Sequence, residues 1–143
     1  MCTSDTDRVQ KRAAKTALAY LLAALFCALF GAVYELFSHE VYSFYMIYAF
    51  AFPLAGGALP FLVLSLKRGG KYPNGFVRNF YHAGIATLTV GSLLCGVLEI
   101  YGTTNSLSSY YWIAGIALLA AGITAYIIQC AKEIYIQNNH RGS

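Results

Sequence analysis

Four long apolar stretches, at positions 16–37, 41–66, 80–101 and 110–131, alternate with short polar links. At about 1.5 Å of rise per residue, each is long enough as a helix to cross a hydrocarbon layer of roughly 30 Å. A helix satisfies its own backbone donors and acceptors, so four such runs in succession predict an all-α membrane protein: a bundle of four antiparallel transmembrane helices. The implied organisation is a segment at 1–15, a first hairpin at 16–66, a loop at 67–79, a second hairpin at 80–131 and a tail at 132–143. The helix of the first span is expected to begin near Arg12, and the chain after Gln129 is expected to leave as a polar tail.

Within the spans, small residues recur at helical spacing. Span one sets Ala24, Ala28, Gly31, Ala32 and Glu35 at separations of three and four, and span three sets Ala83, Thr87, Gly91, Cys95 and Glu99 at intervals of four, with Ser92 and Gly96 beside them. Span four offers Ala117, Ala121 and Ala125. Small side chains let helix backbones approach in lipid, so these rows read as contact faces. Span two holds PLAGGALP, in which Pro53 and Pro60 each remove a backbone donor and flank Gly56 and Gly57; a kink or break is expected there. Tyr42, Phe44, Tyr45 and Tyr48 form an aromatic belt at the start of that span.

The two halves echo each other. A shift of 64 positions lays Glu35 of GAVYELF on Glu99 of GVLEIYG, and a shift of 65 lays Gly57 on Gly122 and Lys67 on Lys132. Two tandem hairpins related by a pseudo-two-fold axis along the membrane normal are implied. Each glutamate then stands near the outer edge of the hydrocarbon, at a helix C-terminus where the dipole disfavours an anion. They form the candidate functional pair, facing each other across the pseudo-axis to share a proton or a cation. His39 and Glu40, in the tight link after Glu35, make a candidate outer polar cluster.

Composition agrees with the pattern. Only 11% of residues are charged, against roughly 25% in soluble proteins. The net charge of +4 would suit nucleic acid, but all 10 Lys and Arg fall before span one, between spans two and three, or after span four. The links at 38–40 and 102–109 carry none, which places both termini in the cytoplasm of a multi-pass plasma-membrane protein and makes the basic residues topology determinants that touch lipid, not nucleic acid. A signal peptide fits span one poorly, because its polar lead is long and no A-x-A site follows.

Cys2, Cys27, Cys95 and Cys130 form no CxxC pair and read as packing residues. His39 and His82 fall at different depths, too far apart to clasp one haem, and no HExxH, phosphate loop or nucleophile–base pattern is visible. No cofactor, metal or enzymatic activity is therefore expected. The phrases GAVYELFSHEVYSFYMIYAFAFPLAGGALP and NFYHAGIATLTVGSLLCGVLEIYGTTN resemble those of small four-span bacterial membrane proteins to which no activity is assigned. That resemblance implies the membrane and the topology but no chemistry. Small multidrug exporters also have four spans and a glutamate in the first, but theirs is mid-span. The expected function is a non-enzymatic accessory, assembly or scaffold component that self-associates or joins a membrane-protein partner. The alternative is a small oligomeric transporter or channel for protons, cations or small molecules, using Glu35 and Glu99.

Overall fold

The computed structural model describes residues 2–37, 42–67, 72–103, 106 and 108–141, and every regular element among them is helical. Helix α1 is Cys2–Phe37. The second span is divided into α2 (Phe44–Tyr48), a π-helical segment (Phe52–Ala58) and α3 (Leu59–Leu66). Helices α4 (Gly75–Ile100) and α5 (Ser108–Arg141) complete the chain. Four stretches are long and apolar enough to cross a membrane, at Asp5–Phe37, Phe44–Leu66, Gly75–Ile100 and Ser108–Asn139.

Two of these helices outrun the apolar runs that predict them. α1 begins at Cys2 instead of near Arg12, and α5 continues through the expected tail to Arg141. At 36 and 34 residues they rise about 54 and 51 Å, well beyond a hydrocarbon layer. The extensions hold good helix formers such as Gln10, Lys11, Ala13, Ala14 and Lys132, and no proline stops either one. Both project from the end of the molecule where Lys15, Lys67, Arg78 and Lys132 lie, hereafter the basic end. There the Thr16 hydroxyl meets that of Tyr72 at 3.0 Å, and the backbone N–H of Asn74 donates to Gln129 at 3.2 Å.

Glycines bring neighbouring backbones together, and the contact pairs reverse in number from one end to the other. Between α1 and span two, Gly31 meets Met46 and Gly57 meets Tyr20. Between span two and α4, Gly96 meets Met46 and Gly56 meets Ile85. Between α4 and α5, Gly91 meets Tyr111, Gly84 meets Leu119 and Gly122 meets Tyr81. The order of packing is α1, span two, α4, α5. α1 and α5 stand at the two edges without a substantial interface between them. A two-fold pair of hairpins would match the contact of span two on α4 with one of α5 on α1, and among the described residues no substantial contact of that kind is present.

The small-residue rows sit differently from expectation. On α1, Ala24 and Gly31 are buried with Ala13, Ala17 and Cys27, whereas Ala28 and Ala32 are exposed. On α4, Ala83 is exposed, and the centre of the contact with span two is Ser92 and Gly96. A strict interval of four advances about 400°, so a row of such steps drifts about 40° each time and winds off any one face. On α5, Ala117 and Ala121 face outward while Gly115 and Gly122 are buried, because an alanine Cβ would collide where glycine fits.

Candidate functional site

Span two is an interrupted helix, and α4 supplies the polar groups that the interruptions call for. Ser43 is extended (φ −114°, ψ 122°) and stands at the N-cap of α2, yet its hydroxyl makes no capping bond. It donates instead to Oε2 of Glu99 at 2.5 Å. One turn on, the N–H of Ala49 bonds the Met46 carbonyl, three residues back, and so leaves the Tyr45 carbonyl without its usual partner. The Ser92 hydroxyl donates to that carbonyl at 2.7 Å. Further along, Pro60 has no N–H for the carbonyl of Gly56, four residues earlier. The Tyr81 hydroxyl donates to it at 2.5 Å.

Among the described residues, Ser43 and Ser92 are the buried polar residues of the core, 0% and 1% exposed. A buried hydroxyl is tolerated when it is hydrogen-bonded. These two are bonded, and each spends its hydrogen on the junction of span two with α4.

Towards the basic end the same helix brings His82 beside α1. Nδ1 of His82 is hydrogen-bonded to the Tyr20 hydroxyl, and the ring tautomer decides which atom donates. Phe61, 5% exposed, lies among four rings: Tyr20 at 6.0 Å, His82 at 5.5 Å, Tyr81 at 6.2 Å and Tyr72 at 6.3 Å. The Arg78 guanidinium lies over the Tyr72 ring at 5.6 Å. Tyr20 also fills the space beside Gly57, so the polar pair and the close approach of α1 to the π segment depend on the same ring.

Glu35 and Glu99 occupy the opposite end. α4 stops there in a glycine cap: Gly102 adopts φ 70°, its N–H bonds the Glu99 carbonyl at 3.0 Å, and the N–H of Thr103 bonds Leu98 at 3.0 Å. This turn places Glu99 on an exposed last turn within reach of Ser43. Glu35 is half-buried, with its Oε1 enclosed by protein. Val33, Tyr34 and Phe37 of α1, Ile100 of α4 and Tyr101 at its C-cap line one groove of about 350 Å³ beside these acids. Gly31 and Gly96, one turn before the respective glutamates, both rest on Met46.

Of the residues expected to kink or break span two, Pro53, Gly56 and Gly57 lie in the π segment Phe52–Ala58 and Pro60 in the first turn of α3; the chain stays helical through them and changes helix register. His39 and Glu40 lie outside the described residues. Among the described residues, no three His, Cys, Asp or Glu side chains gather at metal-binding distance, and Cys27, Cys95 and Cys130 are free thiols. The residue pattern does not mark Tyr81 or the pairing of His82 with Tyr20, and it marks Ser92 only as a small contact residue. The signal for the first was local: Pro60 leaves the Gly56 carbonyl in need of a donor. Nothing in the spacing of Tyr20 and His82, 62 residues apart, announces their bond. No family model, curated protein or solved structure matches the chain.

Proposed function

We propose that the chain is a non-enzymatic plasma-membrane component, built from two antiparallel hairpins with both termini in the cytoplasm, that serves as an assembly scaffold. The observation that carries this reading is the open packing order. α1 and α5 each use one face inside the molecule and leave the other, apolar face without a partner; in the most apolar 18 residues of α5 only 11% are buried. On those outer faces Ala28 and Ala32 of α1 and Ala117 and Ala121 of α5 are exposed at intervals of four, the spacing that lets helices approach in lipid. An α5-to-α1 contact between copies, or with a partner's helix, supplies the interface that the duplicated hairpin lacks within one chain. The polar groups around the π segment support the same reading, since they are engaged in holding span two to its neighbours.

Native mass spectrometry after mild detergent extraction tests it: an oligomer, or a constant stoichiometry with a companion, is expected. Ala117→Trp should shift the population to single chains. A wild-type protein that is monomeric and alone would sink the scaffold reading.

A second reading, a small transporter or channel working through Glu35 and Glu99, is favoured by one feature. The π segment lies mid-span, and discontinuous helices serve transporters as binding elements. Proton or cation flux into protein-loaded liposomes, abolished by Glu35→Gln, would replace the scaffold with this activity.

A further inference from the structure

α3 and α5 both flank α4 near the basic end without packing substantially on each other. The gap between them is a cleft of about 210 Å³, floored by the buried Phe61 and Val77 and walled by Leu64, Ile123 and Tyr126. It is apolar almost throughout. The hydroxyl of Tyr81, which also reaches it, is bonded to Gly56. Among the described residues that line this space, Arg78 is the cation. Its guanidinium carbon lies over the Tyr72 ring, 5.6 Å from the centroid. A cation–π contact uses none of the guanidinium N–H donors, so their fork is left for phosphate oxygens. Arg78 is also one turn from the start of α4, the level at which a chain crossing a bilayer meets headgroups. The adjoining groove shares Val77 and is lined by one charge of each sign, Lys132 and Glu133.

We infer that this cleft between α3, α4 and α5 is a binding site for one anionic phospholipid, with an acyl chain against Phe61, Val77 and Ile123 and the phosphate on Arg78. The proposal rests on the membrane reading but not on the scaffold. An apolar slot open to the bilayer holds a chain, and a cation at its headgroup end selects an anionic lipid over a zwitterionic one by about fivefold.

The test uses the full chain in nanodiscs of equal phosphatidylglycerol and phosphatidylcholine with identical acyl chains, followed by native mass spectrometry of the released protein. The expected result is one retained phosphatidylglycerol per chain, in about fivefold preference. Arg78→Gln should bring the ratio close to one while a lipid is still retained. Ile123→Trp, at an exposed wall position that tolerates bulk, should lower retention of both lipids severalfold. Ile113→Trp, exposed elsewhere on α5, should change neither. Equal retention of the two lipids by the wild-type chain, or unchanged retention in Ile123→Trp, would overturn the site. Displacement by soluble glycerol phosphate would also overturn it, because the acyl chain would then contribute nothing. The same spectra count protein copies, so a monomer that keeps its lipid defeats the scaffold alone, and an oligomer that keeps none defeats the lipid site alone.

Discussion

Span two and α5 pack against adjoining faces of α4 by different means. The α5 interface is regular helix on regular helix: Gly84 lies under the Leu119 backbone, Gly91 under Tyr111, Gly115 under Leu88 and Gly122 under the Tyr81 backbone. Among the described residues a hydrogen bond joins it at the basic end, from the Asn74 N–H to Gln129. The span-two interface shares the close glycine approach, at Gly96 on Met46, but adds Ser43–Glu99, Ser92 to the Tyr45 carbonyl and Tyr81 to the Gly56 carbonyl. Each of these bonds stands where the backbone ladder of span two is incomplete or begins. On α4 the polar groups that face span two therefore follow its irregular backbone, and the glycine zipper follows the regular backbone of α5; the Tyr20–His82 bond joins two regular helices.

Glycines of the two interfaces should answer differently to one added methyl according to whether backbone or a side-chain tip lies opposite. At Gly84 a Cβ would come within 2.8 Å of the Leu119 backbone nitrogen and 3.0 Å of its Cα, so the helices themselves must part. Gly84→Ala is expected to cost about 3 kcal/mol, the upper part of the usual overpacking range, read by thermal unfolding in mild detergent. At Gly56 the same methyl meets the tip of Ile85, at 2.4 Å from its Cδ1, and that side chain can turn away. Gly56→Ala should cost less than about 1 kcal/mol. Equal losses would show that the distinction between backbone and side-chain neighbours does not govern this bundle.

Ser92→Ala comes next. It removes the donor to the Tyr45 carbonyl from a site 1% exposed, and nothing apolar replaces the lost partner. A loss of about 2 kcal/mol is expected, whereas an equally small change on α5, Ala117→Ser at an exposed position, should fall within about 0.5 kcal/mol.

The bond from Tyr81 to Gly56 offers a sharper experiment, because its cause can be removed. Tyr81→Phe should cost about 1 kcal/mol in the natural background. In Pro60→Ala, residue 60 regains an N–H that can reach the Gly56 carbonyl, and the same substitution should then cost close to nothing. A coupling of about 1 kcal/mol in the double-mutant cycle is the expected outcome, and additive losses would separate Tyr81 from the missing donor.

Much of this architecture is legible in the pattern of apolar runs, because length and hydropathy alone mark four helices that can span a bilayer. The interruption of span two is equally plain in PLAGGALP, since two prolines withdraw two donors whatever the surroundings. The faces are less legible. Counting Ala with Gly as interchangeable small residues leads to Ala28, Ala32, Ala117 and Ala121, which are exposed, when the buried contacts select Gly31, Gly115 and Gly122. The lengths of α1 and α5 are missed because hydropathy reports where apolar residues stop and helix propensity continues past them. Glu35 and Glu99 stand out in sequence as a matched pair, and what the fold adds is a serine: Ser43, buried at the start of α2, is a hydrogen-bond donor to Glu99 that no repeat alignment indicates.

That serine leads to the smallest predicted effect and the one that bears most on function. Glu99 lies on an exposed last turn, and a glutamine there presents an amide oxygen that still accepts from the Ser43 hydroxyl. Glu99→Gln should lower stability by less than about 1 kcal/mol, the range of a solvent-accessible charged contact exchanged for a neutral one. Ser43→Ala, which removes the bond from its buried end, should cost more. If Glu99 serves only to hold the start of α2, Glu99→Gln must leave the copy number and companions seen in native mass spectra unchanged, and the doubly substituted Glu35→Gln, Glu99→Gln protein must assemble as the wild type does. Assembly lost with the fold intact, as judged by an unaltered unfolding temperature, would mean that the acids are read by a partner and not merely by Ser43. The glutamate end, not the outer faces of α1 and α5, would then be the contact surface.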